Sequence, residues 1–287
     1  MRALLIVNPA AGRRHAAHGD LEQTIAVLRT ARITVDRAET GPDGPTSADL
    51  ARRAVAEGYD VCVVAGGDGT VAPAAAALLD TRVILGILPF GSYMNIARGL
   101  GLPLRPIDAA AVIARGDVHD VDVGEVHGRP FFETAGIGLD AELFVAARDA
   151  ERRSWLRLAR RVVRWLTHGT HEVVIDVDGA RHTHRVMQIL VLNSPYYAWA
   201  LPLLPDASME DGLLDVAVFP RMGRLALLRS LVAVMRLRPL PVRPVRYQGA
   251  RIEVSAAEAL TVHADGQLAG TLPAELRCRR GALRVYA

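Results

Sequence analysis

Short apolar runs alternate with amphipathic stretches along the N-terminal part of the chain. The runs 3–7, 61–65 and 83–88 have the length and the aliphatic content of buried strands, and stretches such as 48–57 repeat apolar residues at helical spacing. Strands that alternate with helices are typical of a parallel, doubly wound sheet with helices on both faces. The pattern therefore predicts an α/β domain over residues 1–117.

The pattern changes near residue 118, where apolar and polar residues begin to alternate. Residues 118–126 and 129–134 are predicted to pair as a hairpin around His127-Gly128, and Asp178-Gly179 is a second hairpin signal. We therefore predict a β-rich, antiparallel second domain over 118–275, with the segment 276–287 returning to the first domain.

Two predicted helices of the second half, 140–166 and 225–237, carry many arginines. In the first of them the arginines fall mostly on one side and large apolar residues on the other. Two interpretations stay open: a solvated basic face over a core face, and an arginine-rich face that rests on anionic lipid headgroups.

The composition is that of a folded protein, since 51% of the 287 residues are hydrophobic and 23% are charged. The formal net charge is +3, and all 34 basic residues are arginines because the sequence contains no lysine. Lysine-based phosphate binding and Schiff-base chemistry are therefore excluded. Cys62 and Cys278 lack disulfide or metal-site spacing and are predicted to be reduced thiols. No apolar run approaches the roughly 18 residues of a membrane span, so we expect a cytoplasmic protein.

Residues 61–70 carry the clearest chemical signal. The apolar run 61–65 breaks at Gly66-Gly67 and leads into an alanine-rich stretch that is predicted to be helical. A strand, a glycine turn and a helix present backbone N–H groups and a helix N-terminus to an anion. Asp68 adds a carboxylate to this turn, which suits a phosphate only with a cation such as Mg²⁺ between them. The alternative is a plain strand-to-helix turn with Asp68 as the N-cap.

Two other predicted strands end in similar turns, at 8–12 and at 89–98. Ligands of open α/β sheets collect at the carboxyl edge of the strands, so these turns and the one at 66–70 are expected to share a site. Asn8 alone is equally consistent with a turn former. The G-x-G-x-x-G fingerprint and the Walker A loop are both missing.

Six motifs in order resemble the diacylglycerol kinase catalytic-domain family, which includes bacterial lipid kinases and sphingosine kinases. The matching segments are 8–12, 66–70, 89–98, 136–140, 211–216 and 265–266, and they cover nearly the whole chain. The resemblance implies a nucleotide-binding α/β domain of the NAD kinase and phosphofructokinase type, followed by a β-rich domain that holds the lipid. It also implies ATP and Mg²⁺ as cofactors and a lipid hydroxyl as the phosphate acceptor.

By this resemblance, a set of N-terminal residues would contact the nucleotide, and Asp68 would also act on the catalytic magnesium and the phosphates. The nucleotide set is Asn8, Pro9, Ala10, Ala11, Gly12, Thr40, Gly66, Gly67, Asp68, Gly69, Thr70, Val71, Ala72 and Ser92. A structural magnesium of the family would fall on Asp211, with the backbone carbonyls of Ser208 and Leu213.

The chain departs from the family pattern at three places. The late turn of this chain is Asp265-Gly266-Gln267. The family usually has a glutamate at the third position of this turn, and that glutamate is generally regarded as the proton acceptor. Glutamine can orient a hydroxyl but cannot take its proton, so Asp265 is the predicted base, with a plain turn residue as the alternative. His263 shares the face of Asp265 and is predicted to be a core histidine. Ala72-Pro73 and the segment 92–95 also differ from the family pattern.

The leading hypothesis is an ATP- and Mg²⁺-dependent lipid kinase that acts on diacylglycerol or a related lipid and associates peripherally with a membrane. The alternatives are a catalytically impaired nucleotide- or lipid-binding protein on the same fold, and a soluble-substrate kinase of the NAD kinase superfold. The expected partner is a lipid substrate at the membrane surface and not nucleic acid, and a homodimer is left open.

Overall fold

The computed structural model describes residues 1–10, 18–138, 169–197, 200–221, 223, 226, 229–230, 232–233 and 242–287. The chain forms two compact units. Unit 1 consists of Met1–Asp122 and Arg280–Ala287, and unit 2 consists of Val123–Arg279. The division falls after Asp122, whereas the sequence pattern changes near residue 118.

Unit 1 alternates strands and helices. Its strands β1–β4 are Arg2–Val7, Thr34–Glu39, Val61–Gly66 and Ile84–Pro89, and its helices α1–α5 are His18–Thr30, Ser47–Ala56, Asp68–Leu78, Asn95–Gly99 and Pro106–Arg115. The four strands pair in parallel in the order β4-β3-β1-β2. The predicted parallel, doubly wound sheet is confirmed.

Helices cover both faces of this sheet. The apolar side chains of α1 and α5, such as Leu28 and Ile113, pack against Leu5 and Val63 of the strands in one core cluster. Helices α2 and α3 pack against each other on the opposite face. Burial on both faces explains why these strands are continuous apolar runs in the sequence. All six residues of β3 are buried.

Unit 2 is built from antiparallel strands. Strands β5–β11 are Val118–Val126, Arg129–Phe131, Thr134–Gly138, His171–Val177, Ala180–Leu192, Tyr196–Tyr197 and Leu201–Pro202. Strands β12–β17 are Leu214–Pro220, Val245–Gly249, Arg251–Ala256, Thr261–Ala264, Gln267–Thr271 and Ala274–Tyr286. The long strand β9 pairs antiparallel with β7, β8 and β12. The predicted β-rich antiparallel domain is confirmed.

Two strands run through the division between the units. The first part of β5 lies in unit 1 and its remainder in unit 2, whereas β17 begins in unit 2 and ends in unit 1. In unit 1 the end of β17 pairs in parallel with β4, at Val285 and Leu85. Tyr286 is buried in the core cluster of that unit.

Some predicted elements differ from the structure. The predicted strand 129–134 ends at Phe131, and Phe132 and Glu133 form a bend before β7. The predicted helix 140–166 lies outside the described residues, and so does most of 225–237. Among the residues that the structure does describe, no helix is long and apolar enough to cross a membrane.

Candidate functional site

The turns that follow β1–β4 meet at one edge of the sheet in unit 1. Three backbone hydrogen bonds join them: Thr40 N donates to Val7 O at 2.9 Å, Asn8 N to Ala65 O at 3.1 Å, and Phe90 N to Gly66 O at 3.1 Å. In the strand order β4-β3-β1-β2, β2 lies on one side of β1, and β3 and β4 lie on the other, so the order in which strands are added reverses between β1 and β3. Ligands of open α/β sheets bind outside the carboxyl ends of the strands at such a switch point.

Asn8 ties the first turn to the third. Its Nδ2 donates to Thr70 Oγ1 at 2.8 Å, and its Oδ1 accepts from Ala10 N at 3.0 Å. A Cβ on Gly66 would lie 2.7 Å from Thr70 Cβ, so the close approach of this helix requires glycine at 66. Asn8 therefore links two turns by a side-chain hydrogen bond, in addition to forming its own turn.

The third and fourth turns pack backbone against backbone. A Cβ on Gly91 would lie 2.5 Å from Gly67 Cα and 2.7 Å from Met94 Sδ, so no side chain fits there. By contrast, a Cβ on Gly69 would meet no heavy atom within 4 Å. Gly91 is thus required by packing, while the space beside Gly69 is open to a ligand that approaches the start of α3.

The Asp68 carboxylate contacts the start of α4. Gly67 is the N-cap of α3 and Asp68 is its first residue, so the alternative interpretation of Asp68 as the N-cap was wrong. Its carboxylate instead accepts hydrogen bonds from Asn95 N at 3.1 Å and Ile96 N at 3.2 Å. These N–H groups open α4 and have no acceptor inside their own helix. Burial raises the pKa of Asp68, and these backbone hydrogen bonds oppose that shift.

Most of the predicted nucleotide set therefore lies at one sheet edge. The residues at the four turns are Asn8, Pro9, Ala10, Thr40, Gly66, Gly67, Asp68, Gly69, Thr70 and Ser92. Val71 and Ala72 follow within α3, and the Val71 side chain is buried. Ala11 and Gly12 lie outside the described residues. The nucleotide contacts themselves stay predictions.

The residues predicted to act on the lipid hydroxyl, Asp265 and Gln267, lie in unit 2 at the hairpin between β15 and β16. Asp265 and Gly266 both have positive φ, 44° and 73°. Positive φ at both residues is typical of the two-residue hairpin turn that Asn-Gly and Asp-Gly sequences form. The turn interpretation of Asp265 is therefore correct. Gln267 begins β16 and is exposed. Gly266 N donates to Nδ1 of the buried His263 at 3.3 Å, in agreement with a core histidine.

The Asp265 carboxylate folds back onto the bend between β6 and β7. Its Oδ2 accepts from Phe132 N at 2.8 Å, and its Oδ1 accepts from Glu133 N and Thr134 N, both at 3.0 Å. Burial raises the pKa of Asp265, while the three hydrogen bonds and the nearby His263 act in the opposite direction. Asp265 thus holds a bend of the chain, and its action as a base stays a prediction.

Asn193, which the sequence pattern did not single out, holds the same bend from the end of β9. Its Nδ2 donates to Phe132 O at 3.4 Å, and its backbone N donates to Glu133 O at 3.0 Å. Asn193 is fully buried, which is unusual for asparagine. The available signal was a polar Asn-Ser pair directly after the apolar end of β9.

The predicted structural-magnesium residues lie in the segment before β12. Asp211 Oδ1 accepts from Leu213 N at 3.0 Å, and its Oδ2 accepts from Gln248 Nε2 at 3.0 Å. Ser208 Oγ accepts from Glu210 N at 3.1 Å. The described part of the chain holds no group of three or more His, Cys, Asp or Glu side chains placed to bind a metal. A site with one carboxylate and two carbonyls stays a prediction.

The negative charge of Asp211 acts on a second carboxyl group, that of Asp215. Burial, followed by the negative charge of Asp211, raises the pKa of Asp215 to about 6, and the charge of Arg246 opposes this shift. The folded state therefore binds a proton at Asp215 more tightly than the unfolded state, in which the pKa of this group is 3.8. As a result, stability is lost as the pH rises from about 4 to about 6.

Asp215→Asn removes this titration. We expect the variant to melt at a higher temperature than the wild type at about pH 7.5, with the gap closing at about pH 4. Differential scanning calorimetry at both pH values measures the gap, and Glu172→Gln on the exposed side of β8 is the matched control. An equal difference in melting temperature at both pH values would contradict the raised pKa.

Comparison with solved structures defines the fold class. The chain superimposes on the crystal structure of a diacylglycerol kinase from Bacillus anthracis str. Sterne with a TM-score of 0.77 and 23% identity, covering 99% of this chain and 96% of that one. This likeness shows that the two proteins share a fold.

Comparison of sequences shows the family. Residues 2–126 match the diacylglycerol kinase catalytic domain, and residues 134–287 match the YegS C-terminal NAD kinase beta sandwich-like domain. The chain is 30% identical over 317 residues to the diacylglycerol kinase of Mycobacterium tuberculosis (strain ATCC 25618 / H37Rv), covering 98% of this chain and 93% of that protein. It is 29% identical over 281 residues to the diacylglycerol kinase of Bacillus subtilis (strain 168), with coverages of 96% and 92%. The chain belongs to the diacylglycerol kinase family of lipid kinases.

Proposed function

We propose that this protein is an ATP- and Mg²⁺-dependent lipid kinase that phosphorylates a hydroxyl of diacylglycerol or a related lipid. The observation that carries the proposal is the interlocked set of turns at the switch point of unit 1, in a chain of this family. The names of the relatives in Bacillus subtilis and Mycobacterium tuberculosis support diacylglycerol as the first lipid to test.

In this proposal the nucleotide phosphates lie against the turns of unit 1. Helix α3 begins there, and a helix N-terminus favours anions. Because the chain has no lysine, backbone N–H groups and arginine supply the protein's own positive charge. Mg²⁺, when bound with ATP, would neutralise the phosphates. The Asp68 carboxylate already accepts the N–H groups at the start of α4 and holds that start against the start of α3.

The acceptor side of the reaction is proposed to lie at the β15–β16 hairpin of unit 2. The exposed Gln267 amide can hydrogen bond to a lipid hydroxyl and orient it. Phosphoryl transfer to an alcohol also needs a group that accepts the hydroxyl proton. The Asp265 carboxylate at this hairpin is the proposed acceptor.

A second cation is proposed to bind at Asp211. Its carboxylate, with the carbonyls of Ser208 and Leu213, offers the oxygen donors that magnesium prefers. Added Mg²⁺ would relieve the repulsion between Asp211 and Asp215 that contributes to the raised pKa of Asp215. Peripheral association with the membrane through the arginine-rich segments is part of the same proposal.

A catalytically impaired binding protein is the second candidate. Two observations favour it: Gln267 cannot accept a proton, and the Asp265 carboxylate already accepts three backbone hydrogen bonds. Such a protein would bind ATP without transferring its phosphate.

The deciding experiment measures ATP consumption by the purified protein with Mg²⁺ in mixed micelles of diacylglycerol, phosphatidylglycerol, ceramide or sphingosine. We expect turnover that depends on one of the glycerolipids and that stops when EDTA is added. Turnover with no lipid at all would contradict lipid as the acceptor. ATP binding without turnover in every micelle would favour the binding protein.

A further inference from the structure

Asn193 is connected to Asp265 through two consecutive peptide groups of the bend between β6 and β7. The first group consists of Phe132 C=O and Glu133 N–H. Asn193 Nδ2 donates to this carbonyl at 3.4 Å, and the N–H donates to Asp265 Oδ1 at 3.0 Å. The second group consists of Glu133 C=O and Thr134 N–H. Asn193 N donates to this carbonyl at 3.0 Å, and the N–H donates to the same Oδ1 at 3.0 Å.

Hydrogen bonds in such a chain strengthen one another. A donor at the carbonyl oxygen polarises the peptide group, so the N–H on its other side becomes a better donor. Asn193 is 0% exposed, and the low dielectric of a buried site increases this effect. The two N–H groups that point at Asp265 Oδ1 are therefore oriented from behind by Asn193.

The two oxygens of the Asp265 carboxylate differ in what they can still accept. Oδ1 accepts two N–H groups, whereas within the described part of the chain Oδ2 accepts only Phe132 N, at 2.8 Å. A carboxylate has about four lone-pair positions, two on each oxygen. Oδ1 is thus filled, and Oδ2 has room for one more hydrogen. Asp265 is partly exposed and lies two positions before the exposed Gln267, which is proposed to orient the lipid hydroxyl.

We propose that Asn193 is a positioning residue of the reaction, which directs two peptide N–H groups onto Asp265 Oδ1 and so leaves Oδ2 as the atom that takes the proton of the lipid hydroxyl. As the hydroxyl oxygen bonds to the γ-phosphorus of ATP, the bond from that phosphorus to the bridging oxygen of ADP breaks. The hydroxyl proton passes to Oδ2 and is then released to water. This inference rests on the proposed kinase function and adds a residue that acts through Asp265.

The pH dependence of kcat separates positioning from a merely structural role. Burial raises the pKa of Asp265, whereas the hydrogen bonds from the bend and the charge of His263 lower it. The titratable residues on the two elements in contact are His263, in β15, and Glu133, in the bend. Without the Asn193 amide the N–H groups of the bend align less well, so the pKa of Asp265 rises. A base must be deprotonated to accept a proton, so the acid limb of kcat moves to higher pH.

The test measures lipid-dependent kcat against pH for the wild type and for Asn193→Leu, which fills a similar space without a side-chain donor. We expect kcat to fall by about 10- to 10²-fold, because a misplacement of about 1 Å at a reacting group costs on the order of 10²-fold. The acid limb should move to higher pH, and the KM for ATP should stay near the wild-type value. Asn193→Ala, which removes the same donor, takes its place if the leucine variant does not fold.

Ser194→Ala is the matched control. Ser194 is also 0% exposed, and its Oγ accepts one hydrogen bond of 3.4 Å, from Tyr196 N, which lies outside the bend. Loss of this hydroxyl removes a buried polar contact of the same length next to Asn193. It should leave the acid limb of kcat where the wild type has it.

Three results would overturn the inference while leaving the proposed function standing. The first is a wild-type profile of kcat against pH in Asn193→Leu. The second is a lower kcat with an unmoved acid limb, which would give Asn193 a purely structural role. The third is an equal shift of the acid limb in Ser194→Ala. A wild type without lipid-dependent turnover would instead reject the proposed function, and this inference with it.

Discussion

Asp265→Ala is expected to lower the free energy of unfolding of unit 2 by about 4 kcal/mol, because three backbone N–H groups lose their acceptor at once. The corresponding fall in melting temperature is roughly 10 °C. Turnover should fall at least a hundredfold even at temperatures where the variant is folded, because the carboxylate that is proposed to accept the hydroxyl proton is lost. Thermal melting and lipid-dependent ATP consumption on the same sample measure both effects.

The chain supplies a matched control for this prediction at Asp178-Gly179. That hairpin also has positive φ at both residues, 50° and 93°. The Asp178 carboxylate likewise accepts backbone hydrogen bonds from a neighbouring strand, from Ala250 N at 3.0 Å and Arg251 N at 2.8 Å. Asp178→Ala should cost roughly 1–2 kcal/mol and leave turnover per folded molecule unchanged. An equal loss of turnover per folded molecule in Asp178→Ala and Asp265→Ala would contradict a specific role of Asp265 in the reaction.

Asp68→Ala is expected to abolish ATP binding and to destabilise unit 1 by about 3 kcal/mol. The two N–H groups of α4 that the carboxylate accepts would be left without a partner, and hydrogen bonds to charged groups are worth about 1.5–3 kcal/mol each. The start of α4 would then be free to separate from the start of α3. Calorimetric titration with ATP and Mg²⁺ measures the first effect, and urea unfolding measures the second.

Glu57→Ala is the control for that experiment. Glu57 follows α2 and pairs with Arg53 on the protein surface, where ion pairs contribute little to stability. Its removal should leave both ATP affinity and stability close to the wild-type values. Wild-type ATP affinity in Asp68→Ala would show that the contact between the two helix starts does not matter for the nucleotide.

The sequence was sufficient to predict the sheet of unit 1 and the meeting of its turns. Buried parallel strands are apolar along their whole length, so β3 and β4 could be predicted from continuous apolar runs in the sequence. An N-cap was the alternative interpretation of Asp68 because the sequence shows only neighbours, whereas its partners Asn95 and Ile96 lie 27 and 28 positions away. The glycine contact between Gly67 and Gly91 was hidden for the same reason.

The acceptor side was less predictable. The turn at Asp265 followed from its Asp-Gly sequence, but its partners Phe132 and Thr134 are separated from it by more than a hundred positions. The alternating pattern of 129–134 predicted an unbroken strand. The Asp265 carboxylate takes the N–H groups that would have continued the strand ladder, so the strand stops at Phe131. The contact of Asn193 with Phe132 is non-local in the same way.

The C-terminal strand has a consequence for biosynthesis. Unit 1 begins at Met1, but its core includes Tyr286, and Val285 completes its sheet beside β4. Nascent chains generally fold domain by domain from the N-terminus. Here unit 1 lacks part of its core until residues 280–287 have left the ribosome, whereas unit 2 is already complete at Arg279. A chain cut after Arg279 would therefore lack part of the core of unit 1, although residues 280–287 are far from Met1–Asp122 in sequence.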